Sequence, residues 1–131
     1  MQLFCLKNYK MENKKTLVIG ASTNPERYSN MAVHLLRSHH HDVVALAKRS
    51  GKVADIAIQT EFPEGDNFHT VTMYIGEKHQ KEYYKLILDL KPERVIFNPG
   101  AENFELADML EINGVETIEG CTLVMLNTGQ F

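Results

Sequence analysis

A repeated alternation of short apolar runs with helix-length segments constrains this chain more than any other feature. Thr16-Leu17-Val18-Ile19 is β-branched and continuously apolar and ends at Gly20. Val43-Val44-Ala45-Leu46-Ala47, residues 70–75, residues 94–98 and residues 115–118 repeat the pattern. Continuous rather than alternating apolarity is what a strand covered on both faces requires. Between the runs lie helical stretches. Residues 29–40 begin at Ser29, a suitable N-cap. In residues 77–90, Tyr83, Leu86, Ile87 and Leu90 share one face, and Pro92 stops the helix. Residues 103–113 place Phe104, Ala107 and Leu110 on one side and end before Gly114. Residues 121–126 are apolar and fit either a last helical turn or an edge strand.

Strands joined by helix-length crossovers pair in parallel with right-handed connections. The expected fold is α/β: a three-layer, Rossmann-like, doubly wound parallel sheet of five strands in order 3-2-1-4-5. Ligands in such sheets bind beyond the carboxyl ends of the strands, where the winding reverses. That order puts the reversal between the first and fourth runs, so Gly20 to Ser29 should face Asn98 to Asn103 across a crevice.

At 131 residues the chain matches one domain. Residues 14–131 are expected to form it, with residues 1–13 as an N-terminal tail and Met11 as an alternative start. Hydrophobic residues make up 44% and charged residues 24%, ordinary for a water-soluble domain that needs no metal or disulfide to fold. The net charge of −3 argues against a general nucleic-acid binder. No apolar run reaches the about 20 residues of a membrane span. Cys5 and Cys121 lack zinc-like or CxxC spacing, so the cytoplasm is the expected compartment.

Three segments could carry chemistry. The first is the loop Gly20-Ala21-Ser22-Thr23-Asn24-Pro25-Glu26-Arg27-Tyr28-Ser29. Gly20 allows a sharp exit from the strand, and the polar loop leads into a helix whose positive dipole end binds phosphate. Arg27 adds a planar cation. The loop lacks the second and third glycines of the dinucleotide fingerprint. A polar loop without a ligand would have a similar composition. The second segment is Lys48-Arg49-Ser50-Gly51, at the place where NAD-binding domains carry an acid for the ribose. Two cations there suit a ribose with its own phosphate, as in coenzyme A or NADP; a solvated basic turn is the competing explanation. The third is Asn98-Pro99-Gly100-Ala101-Glu102-Asn103. Asn98 and Asn103 could bond an amide-bearing ligand chain, and Asn103 equally suits a helix N-cap.

Together, Val18-Ile19-Gly20-Ala21-Ser22 with Pro25, Arg27 and Ser29, then Asn98-Pro99-Gly100-Ala101-Glu102-Asn103, Gly114-Val115 and Gly120-Cys121 resemble the coenzyme A-binding domain family. These are small stand-alone Rossmann proteins related to the nucleotide-binding domain of succinyl-CoA synthetase α subunits. The resemblance spans about residues 14–124. It implies coenzyme A or an acyl-CoA as the ligand of a small binding protein. NADP, in an oxidoreductase or redox sensor, is the alternative that the basic turn at Lys48-Arg49 offers. The chain differs from the family in having Ala47-Lys48-Arg49 where a proline-rich turn is common, and Phe97-Asn98-Pro99 where an aromatic residue and a glutamine are common. Ligase chemistry needs further domains and is not implied.

No catalytic triad, carboxylate pair or metal-ligand spacing stands out. Successive residues of His39-His40-His41 diverge on a helix and suit its C-terminal dipole better than a metal. Cys121 could exchange with a ligand thiol, although a buried role is commoner. Tyr28 and Tyr74 could pack on an adenine or on the core. The expected partner is a small nucleotide, with no nucleic acid and no membrane; a protein partner or a second copy stays open.

Overall fold

The computed structural model describes residues 12–65 and 67–131. Its strands are β1 (Thr16–Ile19), β2 (Val43–Leu46), β3 (Gly51–Val53), β4 (Ile56–Gln59), β5 (Thr70–Met73), β6 (Arg94–Phe97) and β7 (Glu116–Glu119). They form one sheet in the order β3-β4-β2-β1-β5-β6-β7. Pairing is parallel throughout except between β3 and β4. The helices are α1 (Tyr28–Ser38), α2 (Tyr84–Leu90), α3 (Phe104–Ile112) and α4 (Thr122–Asn127), with 3-10 turns at Glu77–His79 and Lys81–Tyr83 before α2.

Side chains of a strand alternate between faces, and the core follows that rule. Leu17, Ile19, Val71, Met73, Val95 and Phe97 pack with Ile87 and Leu90 of α2 and Leu106 and Leu110 of α3. Val18 and Ala45 pack on the other side with Val33 and Leu36 of α1 and Leu126 of α4. Burying one such aliphatic side chain contributes roughly 1.5–3 kcal/mol. The sheet is thus the middle of three layers.

The five-strand sheet in order 3-2-1-4-5 is corrected in number and in order. The sequence reading leaves residues 51–59 irregular, whereas they form the β3–β4 hairpin, and β4 pairs in parallel with β2. The run at residues 70–75 is therefore not the outer neighbour of β2. It becomes β5 and lies directly against β1. The winding reverses between β1 and β5, and β6 stands one strand further away.

Smaller corrections have local causes. Arg27, not Ser29, occupies the N-cap of α1; the turn closed by Arg27 N–H on the Asn24 carbonyl starts the helix earlier, and Ser29 is buried inside it. The helix expected at residues 77–90 is α-helical only from Tyr84. Gln80 turns into the core and donates from Nε2 to the carbonyls of Ile75 and Ala101, which interrupts the coil. Of its expected apolar face, Ile87 and Leu90 are buried and Leu86 is exposed. α3 buries Leu106 and Leu110, while Phe104 is 73% exposed at its first turn. Residues 121–126 resolve as helix α4. Of the expected tail, residues 1–11 lie outside the described residues. Asn13 exchanges two hydrogen bonds with Asp42, both 2.8 Å.

Candidate functional site

Register decides which residues meet at the carboxyl edge. Ile19 pairs with Leu46 and Met73, and Met73 with Phe97. The residues that leave these strands therefore stand in one row: Gly20, Ala47, Tyr74 and Asn98. Gly20 (φ +96°) and Ala21 both donate to the Leu46 carbonyl as the chain bends out of β1. A Cβ on Gly20 would lie 2.8 Å from Ile75 Cγ2 and 3.2 Å from the Tyr74 carbonyl carbon. Both the backbone angle and the neighbours demand glycine here.

The loop after Gly20 is held by its own side chains. Ser22 Oγ accepts from Asn24 N–H (3.0 Å), and Asn24 Oδ1 accepts from Glu26 N–H (2.9 Å). Asn30, buried in the first turn of α1, donates to the Ser22 carbonyl (2.8 Å). No side chain caps the start of α1. Orphan amides there, with the helix dipole, favour an anion. Arg27, exposed, stands at this end.

A cleft of about 580 Å³ opens at that point, between the β1 loop and the exit of β5. Of the residues expected at the site, Gly20, Ala21, Ser22, Arg27, Tyr28, Ser29 and Pro99 line it. Tyr74 and Ile75 complete the wall, and Glu26 adds a negative charge. The Tyr74 hydroxyl is shut off from solvent and has no hydrogen-bond partner among the described residues. Burial pushes its pKa up to about 12, with Thr122 and Thr72 close enough to temper the shift.

A second, narrower and mainly apolar pocket of about 330 Å³ shares Gly20, Ala21 and Ile75 with the cleft. Ile19, Leu46, Ala47, Lys48, His79 and Tyr83 enclose the rest. Lys48 is therefore at the edge, as expected from the sequence. Its ammonium is bound to both Glu82 oxygens at 2.9 Å and lies 5.6 Å from the centre of the Tyr83 ring. The Glu82 bond holds the Lys48 pKa above its ordinary value. Arg49 is exposed beside it. Thr23 reaches the same corner, since its Cγ2 fills the space where a Cβ on Gly51 would fall, at 2.5 Å. Asn24 and Pro25 are exposed in the loop and do not line the cleft.

The third segment is divided. Gly100 (φ +93°) is exposed, and its N–H donates to Glu102 Oε1. The two asparagines are buried with their polar atoms engaged inside the fold. Asn98 donates to Thr72 Oγ1 (2.7 Å) and the Met73 carbonyl (2.9 Å) and accepts from Thr122 N–H (2.9 Å). Asn103 caps α3 by accepting from Leu106 N–H, and donates to Gln80 Oε1 and Tyr84 Oη. Sequence reasoning missed Ile75, His79, Glu82 and Tyr83, because the segment after residue 75 reads as the start of a continuous helix.

A family model for the CoA binding domain matches residues 14–127. The chain belongs to the CoA-binding domain family. Among curated proteins none is significantly similar. A crystal structure of a protein described only as uncharacterized is 45% identical, with a TM-score of 0.89 over 92% of this chain and all of the other. A hypothetical protein from Pyrococcus horikoshii is 20% identical, with a TM-score of 0.80 over 95% of this chain and 89% of its own. Aspartate dehydrogenase from Thermotoga maritima is 15% identical, with a TM-score of 0.55 over 82% of this chain and 45% of its own, and shares the fold alone.

Elsewhere on this CoA-binding domain, no group of three or more His, Cys, Asp or Glu among the described residues is placed to hold a metal. No described helix is long and apolar enough to cross a membrane. Of the three histidines after α1, His41 departs from the expected cationic cap: it is buried, accepts from Lys14 N–H at Nδ1, and has its pKa lowered to about 4 by burial. Cys121 is half-buried just before α4, and Cys5 lies outside the described residues.

Proposed function

We propose that this CoA-binding domain holds coenzyme A or an acyl-CoA along the carboxyl edge of its sheet, as a binding module and not as a catalyst. The observation that carries the reading is the uncapped start of α1, with Arg27, on the cleft at the winding reversal. The pyrophosphate would sit on the amides of the loop from Ser22 to Ser29, with Arg27 as counter-charge. Gly20 and Ala21 let the ligand approach the backbone. The apolar pocket beside Lys48 suits a flat adenine. Lys48, with Arg49 exposed next to it, would then receive the ribose phosphate. Pro99 supports the opposite wall. Asn98 and Asn103 would serve indirectly, by fixing the backbone of that wall, because their side chains are already bonded within the fold.

Calorimetric titration with coenzyme A, dephospho-coenzyme A, NADP and NAD at fixed low salt tests the reading. A charged hydrogen bond contributes about 1.5–3 kcal/mol, so coenzyme A should bind at least about tenfold more tightly than its dephospho form. Tighter binding of NADP than of coenzyme A would replace this reading with the NADP one.

A further inference from the structure

Lys48 is the cation that lines the apolar pocket at the sheet edge, yet it already has a partner. Glu82 meets it with both carboxylate oxygens. The 3-10 segment that brings Glu82 across the carboxyl edge is anchored on both sides of that residue. Two positions earlier, Gln80 is fully buried and bonded to the Ile75 and Ala101 carbonyls. One position later, the Tyr83 ring stacks on Phe62 at 6.2 Å and lies beneath the Lys48 ammonium. The carboxylate is thus delivered to Lys48 by fixed backbone. The pair itself remains open to water, with Lys48 74% and Glu82 55% exposed in their side chains. An ion pair of that kind contributes little and breaks at low cost. Tyr83 and Lys48 also line the 330 Å³ pocket, so the exchange would occur at its mouth.

We propose that Glu82 sets the ligand selectivity of this edge: it occupies Lys48 until a ribose phosphate takes its place. The inference rests on the coenzyme A reading above. A phosphate carries more charge than a carboxylate and displaces Glu82, whereas a ligand without the ribose phosphate leaves the pair intact. Glu82 therefore weakens any phosphate that approaches Lys48, and so narrows the margin by which coenzyme A is preferred over its dephospho form.

The test is calorimetric titration of the full chain and of Glu82→Gln, Lys48→Met and the double variant, each with coenzyme A and dephospho-coenzyme A at fixed salt. Both residues are exposed, and melting curves establish that each variant is folded. Glu82→Gln should tighten coenzyme A about three- to fivefold, the upper part of the range open to an exposed ion pair. It should leave dephospho-coenzyme A unchanged. In the Lys48→Met background the Glu82→Gln gain should fall below about twofold. Equal gains for both ligands, or no gain with coenzyme A still bound, would overturn the role of Glu82 while leaving the coenzyme A reading standing. Failure of the unaltered protein to bind either ligand would overturn that reading and this inference with it.

Discussion

Asn98, at the end of β6, accepts a hydrogen bond from the backbone N–H of Thr122, which opens α4 just after the neighbouring strand β7. Its amide also donates to Thr72 Oγ1, which is itself bonded to Thr122 Oγ1 at 2.7 Å. Three segments distant in sequence are thereby tied behind the cleft. Asn98→Ala would leave the buried Thr122 N–H without a partner, whereas the Met73 carbonyl keeps the Asn98 backbone N–H. The expected loss is about 1–3 kcal/mol, or a fall in melting temperature of roughly 3–10 °C for a domain of this size. A fall of only one or two degrees would mean that the network contributes little.

Gly20→Ala tests the tight exit from β1. An alanine at φ +96° is strained, and its Cβ would press on Ile75 and the Tyr74 backbone. The cost should be about 1–3 kcal/mol, read as a lower urea midpoint. Because Ile75 lines both the cleft and the apolar pocket, ligand affinity should fall in the variant that remains folded. Unchanged stability would show that the loop can relax around a side chain.

The buried parallel strands were legible because both-face burial demands continuous apolar runs, and β1, β2, β5 and β6 supply them. The β3–β4 hairpin was not. Gly51-Lys52-Val53 and Ile56-Ala57-Ile58-Gln59 are short, partly polar edge strands, and their turn has Ala54 at φ +56° in place of the usual glycine or asparagine. Missing that hairpin moved the reversal point by one strand and hid the place of Ile75 in the cleft wall. That the loop from Gly20 to Ser29 lies at the carboxyl edge was legible because it directly follows the buried run of β1. The engagement of Asn98 with Thr72 and Thr122, and of Lys48 with Glu82, depends on residues 24 to 34 positions away and leaves no local signal.

Arg27→Ala should separate ligand binding from folding. Arg27 is exposed and its side chain does not cap α1, so the melting temperature of the free protein should change by no more than about 2 °C. If it faces the pyrophosphate, coenzyme A and dephospho-coenzyme A should both weaken by about tenfold or more. The ratio between the two ligands should stay the same. A loss confined to coenzyme A would place Arg27 at the ribose phosphate instead.

The opposite edge of the sheet should make stability depend on pH. His41 is buried there, 5.1 Å from the Phe131 ring, and its Nδ1 accepts from Lys14 N–H. Burial lowers its pKa from 6.5 to about 4, aided by the charges of His39, Lys14, Arg94 and His69. His69 is also lowered, again first by burial. Between pH 4 and 6.5 the unfolded chain binds a proton at residue 41 that the folded chain does not. Stability from this group is therefore complete above about pH 6.5 and is lost as the pH falls toward 4. The loss should be about 1–3 kcal/mol for His41. Urea unfolding at steps across that window should give a rising stability with pH. His41→Asn should be less stable at pH 7 and should follow a shallower slope, with His69 supplying part of what remains. An equal slope in both proteins would show that His41 is not the group being titrated.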